Sequence, residues 1–477
     1  MRRAIAILTA AAWLAVAPAA WATSPRSASA SAAAEATSPH SASAPAAVSF
    51  HSADGLKVTS VKQLDARLLA LTVQTTALPG TQNIRILLPS SYQQHPHRHY
   101  PVLYLLDGTS GQALDWTTYG DAEQITAGKP LIVVMPDITL NGNGGGWCTD
   151  WPDGAQKWET YHINQLIPWV DGNLRTIANR NGRAIAGLSQ GGFCSLSYAA
   201  RHPDLFSVAL GYSGAPDIWY DEDSRLGAMT IINLTELGLT GVAPDTFFGN
   251  PVTDGINWAA HDPATLAENL RDTRIYMYWG SGLPGPYDSS PDPYGMVIEG
   301  AVCRDNDDFQ ARLDALGIPA YFKFYGAGTH SWPYWERDLR WSIGQIMSDF
   351  AHPMPLPTQI TYSSGDDDYA VYGWSVDMHR LAREFSTLAD AARTGFELSG
   401  SGSATVLTPP DFKPGRSYSV GLFGPYVDTR QTLRAGRDRR LTIQVPLGPS
   451  NPYQEYTAQA EAAGTTVYTT NVTIAPV

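Results

Sequence analysis

Residues 187–191 read Gly-Leu-Ser-Gln-Gly, directly after the strand-like run Arg183-Ala184-Ile185-Ala186 and directly before a helical stretch from Gly192 to Arg201. A serine placed this way between a strand and a helix occupies a sharp turn. Small residues must flank it because the backbone is crowded there. The turn lifts the Ser189 hydroxyl above the end of a sheet, where it can serve as a nucleophile. The motif therefore asks for a strand, a turn and a helix in that order, with open space above the turn.

The surrounding chain meets that demand by alternation. Leu68 to Val73 and Ile84 to Leu88 look like strands, and the apolar runs Val102 to Leu106 and Leu131 to Met135 fit central strands of a mostly parallel sheet. Helical spacing follows at Trp158 to Leu174, then strands at Phe206 to Tyr212 and Thr273 to Trp279. A helix at Asp307 to Leu316, a strand at Ala320 to Tyr325 and a helix at Trp335 to Phe350 complete the unit. Strands alternating with helices give a sheet covered on both faces. With a serine turn at its centre, this is the α/β-hydrolase fold. Residues 214–262, rich in Gly, Asp and aromatics, break the rhythm and are expected to form an inserted cap.

After His352 the texture changes. Pro353, Pro355 and Pro357 mark a linker over 353–360. Beyond it lie short β-rich runs: Ala370 to Val376, Phe396 to Ser399, Tyr418 to Phe423, Leu441 to Val445 and Thr466 to Ile474. Helical signal is confined to Met378–Ala392, so a small, all-β, sandwich-like domain is expected over 361–477.

The first residues bear on compartment. Arg2 and Arg3 precede an apolar run from Ala4 to Ala20, and Ala20-Trp21-Ala22 has the small-x-small form of a cleavage site. A signal peptide is expected at 1–22, followed by an Ala/Ser/Pro-rich disordered linker at 23–50 and the catalytic domain at 51–352. The expected protein is exported, extracellular or associated with the cell envelope, with no transmembrane segment. Of 477 residues, 43% are hydrophobic and 16% charged, enough to bury a large core, and the net charge of −13 argues against nucleic acid as a partner. Three cysteines, Cys148, Cys194 and Cys303, allow one internal disulfide and leave one thiol over, without fixing the pair.

A serine nucleophile needs a base within hydrogen-bond reach and an acid to orient that base. In this fold the chain order is Ser, then Asp or Glu, then His. His330, in Gly328-Thr329-His330-Ser331-Trp332 just past the last strand, occupies the base's place. His202 comes too early and His261 precedes the penultimate strand. The acid should follow Thr273 to Trp279, and spacing leaves Asp288, Asp292 and Glu299 open, with Asp262 less well placed.

Four segments together carry a family resemblance: Leu105-Leu106-Asp107-Gly108, Lys157-Trp158-Glu159-Thr160, Gly187-Leu188-Ser189, and Gly328 to Trp335. In order and approximate spacing they resemble the mycobacterial mycolyltransferases of the antigen 85 group, within the esterase D-like branch of α/β-hydrolases. The resemblance implies a bacterial enzyme and selects Glu299, which stands ten residues before Phe309-Gln310, in the family's register, with Asp292 in reserve. It also implies an oxyanion hole from the backbone amides of Thr109 and Gln190, and places Asp107 and Trp332 near an acceptor sugar. Three departures stand out. Ser110 replaces the family's arginine, Gln190-Gly191 replaces Met-Ala, and the family's loop disulfide cannot form locally, because only Cys148 lies there.

The expected function is a serine esterase or acyl-transfer enzyme acting through an acyl-enzyme on Ser189, with a lipid or glycolipid ester as substrate. The alternatives are an acyltransferase, mycolyl or other, to a sugar or glycerol hydroxyl, and a non-catalytic wall-binding protein on the same scaffold. The β-domain's aromatic residues allow contact with cell-wall glycan. No cofactor and no metal are expected. His95, His97 and His99 lie in a polar turn, and Asp366-Asp367-Asp368 lacks a calcium-loop ligand series.

Overall fold

The structure is a computed structural model describing residues 48–477 apart from Gly241. The expected leader at 1–22, and the expected linker up to residue 47, lie outside the described residues. Nine strands form one sheet: β1 (Leu56–Gln63), β2 (Leu68–Thr75), β3 (Gln82–Leu87), β4 (Val102–Leu106), β5 (Ile132–Pro136), β6 (Arg183–Leu188), β7 (Val208–Tyr212), β8 (Arg274–Trp279) and β9 (Tyr321–Phe324). Their order is β1-β2-β3-β5-β4-β6-β7-β8-β9. The pairs from β5 through β9 are parallel, and β1 to β3 extend that sheet antiparallel at one edge. Every residue of β4, β5, β6 and β7 is buried, as unbroken apolar runs between two helical layers require.

The helices that matter for the site are α1 (Ile167–Asn173, entered through a π-helical segment Thr160–Leu166), α2 (Gln190–Arg201), α3 (Glu222–Thr240), α4 (Pro293–Leu316) and α5 (Trp332–Ala351). Two of them differ from the sequence reading. Helix α4 begins at Pro293 rather than Asp307, with the Asp292 side chain capping it by accepting from the Tyr294 amide at 3.1 Å. Ahead of Phe309 it buries Gly295, Glu299, Val302, Asp305 and Asn306, so no apolar stripe reveals its start. The segment 214–262 contains the 19-residue helix α3 and a short helix Gly255–Ala259.

The C-terminal strands are β10 (Ile360–Ser364), β11 (Asp368–Val371), β12 (Trp374–His379), β13 (Ser386–Ala392), β14 (Gly395–Gly400), β15 (Gly402–Leu407), β16 (Ser417–Gly424), β17 (Val427–Arg434), β18 (Thr442–Gly448) and β19 (Tyr468–Pro476). They form a six-stranded sheet, β10-β13-β14-β19-β16-β17, and a four-stranded sheet, β11-β12-β15-β18, sharing one core. The helix expected at Met378–Ala392 is not formed. Those residues end β12, cross a connection and supply β13, which pairs with both β10 and β14. Trp374, Val376 and Met378 alternate into the core, and this pairing overrides the helix propensity of Leu381-Ala382-Arg383-Glu384.

The sandwich is held to the unit built on the nine-stranded sheet near the end of α2. The Tyr362 hydroxyl donates to Arg201 O at 2.7 Å and the Tyr372 hydroxyl to Pro203 O at 2.9 Å. Asn269 and the Ser363 backbone exchange two bonds of 2.9 Å.

Candidate active site

Ser189 joins β6 to α2 with φ of 52°, a left-handed value that costs a non-glycine residue about 1–3 kcal/mol and persists only where surroundings impose it. Those surroundings are backbone atoms. A Cβ on Gly187 would lie 2.2 Å from Gly191 O, and one on Gly191 would lie 2.0 Å from Asp107 O. The Ser189 amide donates to Tyr212 O at 2.9 Å, tying the turn to the end of β7.

His330 precedes α5, and its Nε2 lies 2.8 Å from Ser189 Oγ. Its Nδ1 lies 2.7 Å from Glu299 Oε2, and both side chains are buried. The other oxygen of Glu299 accepts from Ser213 Oγ at 2.9 Å and the Gly280 amide at 2.7 Å, which fixes the carboxylate. Trp335 packs edge-on against the His330 ring at 5.0 Å. Ser213 and Gly280 are unmarked in the sequence, since neither carries a motif of its own, and Trp335 stands there only as the last residue of the Gly328 to Trp335 segment.

The remaining acidic candidates are engaged elsewhere. Asp288 accepts from the Gly285 amide and the Tyr334 hydroxyl, Asp292 caps α4, and Asp262 binds Ile218 and Thr265. His202 contacts Glu159 at 2.7 Å, and His261 lies 3.6 Å from the same carboxylate. Burial alone would push the Glu159 carboxyl up; the Arg201 guanidinium and the bonds from His202 and His261 hold it well below the usual range. His95, His97 and His99 lie in an exposed turn, and Asp366 and Asp367 pair with Arg201, Arg383 and Arg380.

Gly108 and Thr109 approach Ser189 from the end of β4. A Cβ on Gly108 would fall 3.2 Å from Ser189 Cβ, and Thr109 Oγ1 lies 3.5 Å from Gln190 Oε1. Gly108 and the first residue of α2 thus flank Ser189. Asp107 lies beneath this loop. It is 3% exposed, its Oδ1 accepts from the Gly108 amide at 2.8 Å, and its Oδ2 has no partner among the described residues. Burial, then the neighbouring Asp115, push its carboxyl well above the usual range. Trp332 is half-buried in an aromatic wall with Trp116 at 5.3 Å, Tyr119 at 5.5 Å and Trp335 at 5.5 Å. Cys148 is bonded to Cys194 of α2, linking the loop after β5 to the helix that follows Ser189, and Cys303 is a free thiol.

Comparison with known proteins places this geometry in context. The Putative esterase family model matches residues 75–344. Esterase Rv1288 of Mycobacterium tuberculosis is 34% identical over 273 residues, 56% of this chain and 56% of that protein. The chain thus spans little more than half the length of this curated relative. Diacylglycerol acyltransferase/mycolyltransferase Ag85B of Mycolicibacterium smegmatis is 30% identical over 252 residues, 50% of this chain and 74% of that protein. The solved structure of Mycobacterium tuberculosis MPT51 superposes with a TM-score of 0.49 at 24% identity, covering 61% of this chain and 98% of that one. With more than half of its length matched by the family model and an antigen 85 protein matched over most of its length, the chain belongs to the Putative esterase family.

Proposed function

We propose that the chain is an exported serine esterase working through Ser189, His330 and Glu299. The observation that carries this is the unbroken pair of hydrogen bonds, Glu299 to His330 at 2.7 Å and His330 to Ser189 at 2.8 Å. In this mechanism Glu299 accepts from the Nδ1–H of His330, leaving Nε2 as the base that takes the Ser189 proton. Ser189 Oγ attacks the ester carbonyl. The amides of Thr109 and Gln190 receive the developing oxyanion, the latter from a helix N-terminus. The alcohol leaves with the proton returned by His330, and a second nucleophile releases the acyl group from Ser189. Trp332 with Trp116 and Tyr119 would wall the substrate. Asp107, enclosed under Gly111, would hold Gly108 in place and meet an acceptor only after loop movement. Export rests on Arg2, Arg3 and the apolar run that follows them.

Whether water or a sugar or glycerol hydroxyl takes the acyl group depends on acceptor binding and water exclusion rather than on the triad. The esterase-named relative and Ser110 at the family's arginine position favour water. Transfer is the second reading, favoured by the relative named as an acyltransferase. Product partition decides. The protein receives a simple acyl ester with and without trehalose, glucose or glycerol, with Ser189→Ala as control, and products are weighed by mass spectrometry. Free acid alone makes it an esterase; acylated sugar or glycerol above the control makes it a transferase. An alanine variant as active as the parent removes Ser189 from the mechanism.

A further inference from the structure

A carboxylate from the 214–262 segment reaches the loops around Ser189. Glu236, on α3, is fully buried. Its Oε2 accepts from the Gly145 amide at 3.1 Å and its Oε1 from the Trp147 indole at 2.9 Å. The Thr109 hydroxyl is a third donor to it. These partners belong to the two loops that shape the oxyanion region, and further contacts knit the loops together. The Ser110 amide donates to Gly144 O at 2.7 Å, and Gly145 backs so closely onto Gln190 that a Cβ would fall 2.1 Å from its carboxamide. With that carboxamide turned, its oxygen accepts from the Trp147 amide at 2.8 Å. The next residue, Cys148, is disulfide-bonded to α2.

We propose that Glu236 is a positioning residue for the oxyanion hole: its carboxylate clasps Thr109 and the Gly145–Trp147 loop so that the amides of Thr109 and Gln190 converge on one point. This rests on the acyl-transfer reading above. The chemistry requires the ionised form. The Gly145, Trp147 and Thr109 groups are all donors, and an ionised carboxylate only accepts, whereas a protonated one must turn one oxygen into a donor and loosen its hold on them. Burial pushes the Glu236 carboxyl up to about 7, against the pull of the Trp147, Gly145 and Thr109 donors. The clasp is therefore complete on the alkaline side of about 7 and loosened on the acid side. Charged groups on the neighbouring elements are engaged elsewhere. Asp107 holds the Gly108 amide, Asp223 pairs with Arg304 of α4, Asp308 of α4 accepts from Ser224, and Arg225 stacks on Trp219. The N-terminal turn of α2 presents the neutral Gln190.

The test uses the full chain, the variants Glu236→Gln, Trp147→Phe and Ser189→Ala, and hydrolysis of a short-chain aryl ester across pH. Loss of a whole oxyanion donor costs about 10²–10³ in kcat, so a misplaced one should cost about tenfold in Glu236→Gln at the alkaline end, with KM little changed. The parent-to-Gln ratio should shrink towards one as pH falls through about 7, since the protonated carboxyl resembles the amide. Trp147→Phe removes one donor and should move the Glu236-dependent limb to higher pH. Stability should run the other way. Because the folded value of Glu236 lies above its unfolded value, ionisation costs stability, and Glu236→Gln should melt higher than the parent at the alkaline end. A pH-independent ratio, a loss confined to KM, or equal activity overturns the inference while Ser189→Ala remains inactive. Full activity in Ser189→Ala overturns the acyl-transfer reading and takes the inference with it.

Discussion

The two ends of α2 are built on different physics. At its N-terminus the chain is fixed by collision: Ser189 is held at φ of 52°, and Gly191 packs with no room for a Cβ against Asp107 O. At its C-terminus the chain is fixed by charge. Arg201 donates to Glu159 at 2.8 Å, to Asp366 at 2.9 Å and to Ala260 O at 2.8 Å, and His202 meets Glu159 at 2.7 Å. The first end tolerates no change in the backbone's immediate neighbours. The second can lose an ion pair and still fold, at a cost in stability. One helix thus presents Ser189 at one end and carries the β-sandwich at the other.

The contrast breaks if chemistry and stability cannot be separated along this helix, and Ser189→Ala is the strongest trial. It should lower kcat/KM by about 10⁴-fold or more and abolish labelling by a fluorophosphonate probe, while the melting temperature stays near that of the parent. Next comes Gly191→Ala. Its Cβ would meet a carbonyl oxygen at 2.0 Å, backbone against backbone, so neither side can yield by a rotamer change. We expect about 3 kcal/mol or more of destabilisation in denaturant unfolding, together with lost activity as the Gly108–Thr109 segment is displaced. A soluble, active alanine variant would show that the turn is looser than its contacts imply.

The N-terminal end was legible because its demands are local: five consecutive residues specify the turn, and the flanking strand and helix show their own periods. A place for His330 beside Ser189 was readable from its position past the last strand. Glu299 did not follow from spacing, which left Asp288 and Asp292 equally open. The distinction lies in Ser213 Oγ and the Gly280 amide, which come from segments 86 and 19 residues away and anchor one carboxylate. The early start of α4 stayed hidden for the same reason, since a helix face burying Gly295, Glu299 and Asn306 looks polar in sequence. The C-terminal end of α2 left no trace, because its partners stand 42 and 165 residues away and no motif links them. Strands β12 and β13 show the same limit in the sandwich, where pairing with distant strands decides against local helix propensity.

Arg201→Met sharpens the comparison from the docking side. Removing one member of a buried ion pair leaves the other charge unpaired and costs about 3 kcal/mol. Calorimetry should show a lower transition, while kcat of the folded protein stays within a few-fold of the parent, because Arg201 lies twelve residues after Ser189, at the far end of α2. A loss of kcat as large as that of Ser189→Ala would mean that the charge cluster reaches the nucleophile, and the two ends would no longer be separable.

The smallest effect tests the sign of the charge cluster. The folded carboxyl of Glu159 lies well below its unfolded value of 4.5, because Arg201, His202 and His261 outweigh its burial; Asp366 is also lowered, by Arg201 first. A carboxyl lowered on folding contributes stability that is fully present above the unfolded value and is lost as pH falls through the folded one. The advantage of the parent over Glu159→Gln should therefore hold from neutrality down to roughly pH 5 and shrink as acid protonates the cluster. The same titration read as ester hydrolysis should show no matching change in the parent-to-variant ratio of kcat, since Glu159 contacts neither Ser189 nor His330. Melting curves taken across that range carry the decision. An advantage that grows with acid would mean that burial, not Arg201, governs Glu159, and the docking end would then be held by packing rather than by charge.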